Sequence, residues 1–140
     1  MKPIEGLSVL VTGGGSGIGE GLAQFSIERG AKVTICGRRQ DKIDAVAARL
    51  GERCLAVQAD ITTEEDRREA VQMAVTHGGK LDVLVSNAGN MIRGDIDTLR
   101  EDSLVDIFKT NVIAGMLLTG LCKPHLAKNG GAIIFIGSIH

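Results

Sequence analysis

Five short apolar runs alternate along the chain with longer segments of helical period, and no other feature limits its possible folds as strongly. Each run is almost continuously hydrophobic, as a strand covered on both faces of a parallel sheet requires. The alternation predicts an α/β fold in which a doubly wound parallel sheet lies between two helical layers. The runs occupy residues 7–11, 32–36, 54–58, 83–86 and 132–136.

Four segments of helical period separate these runs, at residues 17–29, 41–50, 64–77 and 99–126, the last unusually long. Thr62 and Glu65 have the spacing of a capping box, so Thr62 is predicted to cap the third helix. No proline-rich linker, low-complexity tract or internal repeat interrupts the series. We therefore predict one Rossmann-like domain over residues 1–140, a three-layer αβα arrangement of about five strands in the order 3-2-1-4-5.

The composition excludes several classes of partner. Charged residues make up 24% of the chain with a net charge of -1, so there is neither a basic stripe for nucleic acid nor a polybasic run for a membrane surface. No targeting or membrane-spanning segment is visible before the first apolar run. Cys36, Cys54 and Cys122 lie in apolar patterns and not in ligand pairs, which predicts free thiols in the cytoplasm and no metal site.

A glycine-rich turn follows the first predicted strand, at Thr12-Gly13-Gly14-Gly15-Ser16-Gly17-Ile18-Gly19. A strand that turns sharply into a helix needs residues without a Cβ, both to reach positive φ and to bring backbone amides against a pyrophosphate. Such a turn also serves as a plain connector, and neither the G-x-G-x-x-G fingerprint nor a P-loop fits here. The spacing that fits is T-G-x-x-x-G-x-G, which resembles the cofactor motif of the short-chain dehydrogenase/reductase family.

The resemblance implies that the turn binds a nicotinamide dinucleotide through Thr12, Gly13, Gly15, Ser16, Gly17, Ile18 and Gly19. Asp60-Ile61, after the third strand, is similar to the acid and backbone amide with which the family holds the adenine ring. The alternative is an acid that merely precedes a helix cap.

Ser86-Asn87-Ala88-Gly89, at the end of the fourth strand, resembles the family's Asn-Asn-Ala-Gly with serine in the first place. The resemblance implies that Asn87 steadies the sheet, while the backbone of Ala88 and Gly89 lies along the cofactor. The alternative is an ordinary turn at the end of a strand, where Asn and Gly are common.

The end of the second strand, Cys36-Gly37-Arg38-Arg39, bears on the choice of dinucleotide. An acid there would chelate the ribose hydroxyls and favour NAD. Gly37 stands in its place, and the guanidinium groups of Arg38 and Arg39 suit a 2′-phosphate, with Ser16 as a further donor. A solvated basic pair is the alternative. We predict NADP(H) as the preferred cofactor and NAD(H) as the other choice.

Asn111 and Ser138 are similar to two members of the family's catalytic group. In the family, the asparagine distorts its helix and holds a proton-relay water, while the serine after the fifth strand positions the substrate oxygen. A satisfied helical amide and a turn residue are the alternatives. Hydride passes in the family between the nicotinamide and a carbonyl or alcohol carbon, while a tyrosine with a nearby lysine transfers the proton.

The 140 residues contain no Tyr and end at His140, two residues after Ser138. We therefore expect a longer chain that carries the catalytic tyrosine, the lysine and the substrate loop. These residues alone are expected to be nearly inactive, since loss of a positioned acid/base group costs about 10² to 10⁴ in rate. His140 is a candidate substrate contact by resemblance.

Three functional hypotheses follow. The leading one is an oxidoreductase that acts on a small carbonyl or alcohol substrate. The second is a nucleotide-binding module without catalysis, and the third is a helix-lined oligomerisation unit without a ligand. The resemblance implies a homodimer or homotetramer paired through the long fourth helix, although packing on the sheet equally explains the apolar residues 112–118.

Overall fold

The computed structural model describes residues 3–138, in which five parallel strands form one sheet in the order β3-β2-β1-β4-β5. The predicted fold class and strand order are confirmed. The strands are β1 (Ser8–Thr12), β2 (Lys32–Gly37), β3 (Cys54–Gln58), β4 (Val83–Ser86) and β5 (Ala132–Phe135).

Side chains of the central strands point alternately to the two faces of the sheet, which creates two apolar cores. Val9 and Val11 of β1 pack into one core, while Leu10 packs into the other. All five residues of β1 are buried, so this strand has a helical layer on each face. The continuous hydrophobic run that predicted β1 is explained by this two-sided burial.

The helices are α1 (Gly17–Glu28), α2 (Gln40–Leu50), α3 (Glu64–Gly78), α4 (Glu101–Phe108) and α5 (Ala114–Asn129). Helices α1 and α2 cover one face through residues such as Ala23 and Ile43. Helices α3 and α5 cover the other, through residues such as Ala74 and Leu118. The sheet therefore lies between two helical layers. Because its strands are parallel, their carboxyl ends all lie at the same edge.

The long fourth helix departs from the prediction of a single α-helix over residues 99–126. A 3₁₀ turn at Ile96–Thr98 precedes α4, and a π-helical turn at Lys109–Ile113 joins α4 to α5. A π turn contains one residue more than an α-helical turn. This single extra residue changes the apolar periodicity too little for the sequence pattern to reveal it. By length and composition the run Glu101–Asn129 is apolar enough to cross a membrane, and only 17% of its most apolar stretch is buried. One side of α5 packs into the core through residues such as Leu118 and Cys122.

The predicted cap of the third helix is wrong by one residue. Thr63 is the N-cap of α3, and its hydroxyl accepts a hydrogen bond from the Asp66 N–H at 3.4 Å. The Thr62 hydroxyl instead donates to Asp60 Oδ1 at 2.6 Å. The Thr62 hydroxyl therefore bonds to Asp60 instead of forming the predicted capping box. Short polar side chains near a turn often make such local hydrogen bonds.

Candidate functional site

A cleft of about 560 Å³ lies at the carboxyl edge of the sheet. It is bordered by the segments that follow β1, β2, β3 and β4, because parallel strands bring their carboxyl ends to the same edge. The lining includes Gly13, residues 15–18, 36–39, 59–62 and 87–90. The sequence-predicted cofactor residues thus meet around one cavity, except Thr12 and Gly19, which do not line it.

The glycine turn places the first turn of α1 against the cleft. Gly17 begins α1 with φ +55°, a left-handed conformation that other residues rarely adopt. A Cβ on Gly19 would meet the Gly13 carbonyl oxygen and would lie 2.7 Å from Asn87 Nδ2. Since no side chain caps the start of α1, its first amides and positive dipole end remain available to an anion.

Thr12 holds the end of β4 against the end of β1 from behind the cleft. Its buried hydroxyl accepts hydrogen bonds from the Asn87 and Ala88 N–H groups, both at 2.9 Å. The Asn87 side-chain amide in turn donates to the carbonyl oxygens of Thr12 and Gly13, at 3.1 and 3.2 Å. These bonds fix the position of the 87–90 segment relative to the glycine turn.

Three cations border the cleft after β2. Arg38 and Arg39 are exposed there, and Lys42 on the first turn of α2 lies beside them. None of the three makes an ion pair with a described carboxylate. Lys42 was not predicted as a site residue, although its spacing of three from Arg39 places both on one helical face. Gly37 provides no acid that would oppose a bound phosphate.

The Asp60 carboxyl group borders the cleft after β3. Hydrogen bonds from the Thr62 hydroxyl and backbone amide stabilise the carboxylate, and Arg38 lies near it. These interactions lower the pKa of Asp60 below its usual value, chiefly through the Thr62 hydroxyl, although partial burial opposes them. Asp60 is therefore an ionised hydrogen-bond acceptor at neutral pH.

Asn111 lies in the π turn and is exposed, so the predicted local distortion of the helix is present at this residue. Its Oδ1 accepts from the Asn90 N–H at 2.8 Å, and its Nδ2 donates to the Asn90 carbonyl oxygen at 2.9 Å. This two-way bond fastens the helix to the segment after β4. Asn111 does not itself line the cleft, whereas its neighbour Thr110 and its partner Asn90 do, and neither was predicted.

Ser138, the other predicted catalytic residue, follows β5 at the same edge of the sheet and is exposed. It does not line the cleft. His140 lies outside the described residues. Within residues 3–138, no group of three or more His, Cys, Asp or Glu side chains is arranged to hold a metal ion.

The comparisons with known proteins agree with this arrangement. The model of the short-chain dehydrogenase family matches residues 8–140. The chain belongs to the short-chain dehydrogenase family. The chain is 33% identical, over 96% of its length, to an Escherichia coli 3-phenylpropionate-dihydrodiol/cinnamic acid-dihydrodiol dehydrogenase, of which it covers 52%. It therefore spans about half the length of this curated relative.

Two solved structures superpose closely on the chain. One is a 3-ketoacyl-(acyl-carrier-protein) reductase from Brucella melitensis complexed with NADH, with a TM-score of 0.93 and 36% identity over 96% of this chain and 58% of that one. The other is a short-chain dehydrogenase from Burkholderia cenocepacia in complex with NADP, with a TM-score of 0.91 and 34% identity over 98% of this chain and 57% of that one. Their ligands differ by a 2′-phosphate, so the family likeness alone does not select one cofactor.

Proposed function

We propose that the chain is the dinucleotide-binding domain of an oxidoreductase that uses NADP(H), or NAD(H) as the second choice, on a small carbonyl or alcohol substrate. The observation that carries the proposal is the single cleft into which the glycine turn, Arg38, Asp60 and Asn87 converge. The complexes of related proteins with NADH and NADP support it. The dehydrogenase and reductase activities in the relatives' names support oxidation and reduction at carbon–oxygen bonds.

Successive segments of the cleft would bind successive parts of a dinucleotide. The amides of Gly15, Ser16, Gly17 and Ile18 at the start of α1 would receive the pyrophosphate, where the helix dipole favours negative charge. The turn can be tight because Gly19 has no Cβ: the Gly13 carbonyl occupies the space that a Cβ would need.

The two ends of the cleft differ in chemistry. Asp60 and Ile61 would bind the adenine ring at the end formed by β2 and β3. The backbone of Ala88 and Gly89 would lie along the nicotinamide ribose, with Asn87 and Thr12 holding that backbone in place. The nicotinamide, when bound, supplies the hydride acceptor or donor.

The preference for NADP(H) rests on the cations after β2. A 2′-phosphate at this point would meet Arg38, Arg39, Lys42 and the Ser16 hydroxyl, which all line the cleft. Because the three cations make no ion pair with described carboxylates, a bound phosphate would not have to displace existing partners. Each charge-assisted hydrogen bond contributes about 1.5 to 3 kcal/mol.

A binding experiment on the 140-residue chain tests both parts of the proposal. Titration calorimetry with NADP⁺ and NAD⁺ would show binding of both, with NADP⁺ bound more tightly. Changing Arg38→Ala together with Arg39→Ala should weaken NADP⁺ binding at least tenfold more than NAD⁺ binding, since only NADP⁺ has the phosphate. Arg53→Ala, an exposed arginine remote from the cleft lining, is the control. Equal losses for both cofactors would refute the NADP preference, and absence of binding would refute the function.

For catalysis we propose Ser138 as the group that positions the substrate oxygen and Asn111 as the residue that shapes the proton relay. Asn111 would act by anchoring the π turn to Asn90. The 140 residues contain no Tyr to exchange the proton, so turnover by these residues alone should be lower by about 10² to 10⁴ than in a chain that has one.

We also propose a cytoplasmic homodimer or homotetramer. The outward face of α4, the π turn and α5 exposes a row of large apolar side chains: Leu104, Val105, Phe108, Val112, Ile113, Met116 and Leu117. Contiguous apolar surface of this kind marks interaction sites in soluble proteins. The three cysteines are free and buried, which fits a reducing compartment.

A further inference from the structure

Arg67 is a buried cation in a place where the fold otherwise uses apolar residues. It lies on the sheet-facing side of α3 with Ala70, Val71 and Ala74, and only 7% of it is exposed. It makes no ion pair with a described carboxylate, and its Nε has no hydrogen-bond partner. Burial of a guanidinium without a counter-charge is unfavourable, so this residue needs a specific explanation.

The explanation lies in the one hydrogen bond that the Arg67 guanidinium makes within the described residues. Its Nη1 donates to the carbonyl oxygen of Ile61 at 2.8 Å. Ile61 lines the cleft and Arg67 does not, so the guanidinium holds the 60–62 segment without bordering the cleft itself. The bond is charge-assisted, and its buried setting strengthens it.

The neighbouring peptide groups of this segment are anchored as well. The N–H of Asp60 donates to Asp66 Oδ2 at 2.8 Å, and the Asp60 carbonyl accepts from the Thr63 N–H at 3.0 Å. The Thr62 N–H donates to Asp60 Oδ1 at 3.0 Å, so the peptide between Ile61 and Thr62 is held at both ends.

One backbone N–H group of the 60–62 segment, that of Ile61, makes no hydrogen bond within the described residues. Ile61 borders the cleft. The carbonyl on the same peptide plane accepts from the Thr63 N–H, and the peptide groups before and after it are held by Asp66 and Arg67. Because a planar peptide between two held neighbours cannot rotate freely, these bonds together set the direction of the Ile61 N–H. A purine ring nitrogen with a lone pair would satisfy it, whereas a protonated ring nitrogen would oppose it.

We infer that Asp66 and Arg67, adjacent on the first turn of α3, are positioning residues that aim the Ile61 N–H and thereby make the site select adenine among purines. The inference rests on the proposed nucleotide function and adds a specificity to it. Neither residue lines the nucleotide cleft, so both act through the 60–62 backbone.

The test compares NADP⁺ with its hypoxanthine analogue by titration calorimetry. The two ligands differ only in the purine: adenine N1 is an acceptor, whereas hypoxanthine N1 carries a proton and its 6-amino group is replaced by oxygen. The unmodified chain should bind NADP⁺ about tenfold or more tightly than the analogue. In Arg67→Met the ratio should fall to about threefold or less. The control is Arg68→Met, which removes an exposed arginine paired with Glu64 on the same helix and should keep the full ratio.

Asp66→Ala is the second variant, because it changes a half-buried residue and leaves the buried arginine in place. It should also lower the ratio, and it carries the test if Arg67→Met does not fold. An unchanged ratio in the folded variants, or an equal loss of affinity for both ligands, would overturn the inference. Equal affinity of the unmodified chain for the two dinucleotides would overturn it while leaving the proposed function intact. Failure to bind either would overturn the proposed function and the inference with it.

Discussion

The chain contains two regions with similar apolar sequence patterns and opposite surroundings. In residues 8–62, which border the cleft after β1, β2 and β3, every residue of β1 is buried and β2 is buried at four consecutive positions. In residues 101–136, every residue of β5 is exposed and α4 buries none of its residues. We call the first the inner region and the second the outer region.

The difference shows what an apolar run specifies. Val11 and Ile35 of the inner region and Ile133 and Ile134 of the outer region all occupy strands of the same sheet. The β-branched side chains favour strand geometry in both places, but among residues 3–138 only the first pair is covered and buried. The inner region is therefore enclosed by core residues on both faces of its sheet and should tolerate changes poorly. The outer region presents apolar surface that should respond to changes in association.

The largest effect is expected from Gly19→Val in the inner region. The new side chain would collide with the Gly13 carbonyl and with Asn87 Nδ2, so the glycine turn could not keep its shape. We expect NADP⁺ affinity to fall at least a hundredfold, with a loss of stability of about 1 to 3 kcal/mol from overpacking. Calorimetry and chemical denaturation would measure the two effects.

Gly21→Ala is the control, two residues further along the same helix. A Cβ there meets nothing within 4 Å, and alanine favours a helix by about 0.8 to 1 kcal/mol over glycine. Affinity should be unchanged and stability slightly higher. If Gly19→Val bound NADP⁺ as well as Gly21→Ala did, the close packing of the turn would have no role in binding.

The second expected effect comes from Thr12→Val, which keeps the side-chain shape and removes the buried hydroxyl. The N–H groups of Asn87 and Ala88 would lose their acceptor. Unsatisfied buried polar groups cost about 1 to 3 kcal/mol, so both stability and NADP⁺ affinity should fall. Thr119→Val is the comparison, since its hydroxyl bonds only the Gly115 carbonyl of its own helix. Similar losses in the two variants would show that the link between β1 and β4 has no special importance.

The elements around the cleft differ in how far the sequence predicted them. The strands β3 and β4 have the bounds that their apolar runs predicted, whereas β1, predicted over residues 7–11, runs from Ser8 to Thr12. The glycine turn and Asp60 were predicted by motif. The cap of α3 was misplaced, since Thr62 and Thr63 both have a hydroxyl, and only the bond from Thr62 to Asp60 distinguishes them.

Other site residues could not have been found from local sequence. Arg67 stands in the charged stretch Asp66-Arg67-Arg68-Glu69, which is typical of a solvated helix face, and its burial depends on how α3 lies on the sheet. Asn90 directly follows the 86–89 motif and Thr110 directly precedes Asn111, but neither residue type by itself indicates a place in the cleft. Both line the cleft beside the two-way hydrogen bond between Asn111 and Asn90.

The third effect is expected in the outer region. Phe108 on α4 is 59% exposed within the apolar row, and Phe25 on α1 of the inner region is 44% exposed. Phe108→Glu should weaken self-association at least tenfold, because a charge would be buried at the contact. Phe25→Glu, with the same change of side chain at a similar exposure, should leave association unchanged. Sedimentation equilibrium would distinguish them, and equal behaviour would contradict the assignment of association to the outer region.

The smallest effect concerns the core that the two regions share, where Cys36 of β2 and Cys122 of α5 belong to the same cluster. Burial raises the pKa of each thiol to about 12, because the charged thiolate is poorly solvated there. A folded pKa above the unfolded value near 9 means that this contribution to stability is complete below about pH 9 and is lost as the pH rises toward 12.

Urea denaturation at pH 8 and pH 10.5 would measure this loss. The unmodified chain should be less stable at the higher pH, and Cys36→Ala and Cys122→Ala should each reduce the difference between the two values. If the two regions share one closed core, the two variants should reduce this pH-dependent difference in stability by similar amounts. If only Cys36→Ala reduced the difference, the Cys122 thiol would have to be accessible to solvent in the folded chain. The outer region would then be loosely packed on its sheet-facing side as well as exposed on its outward side.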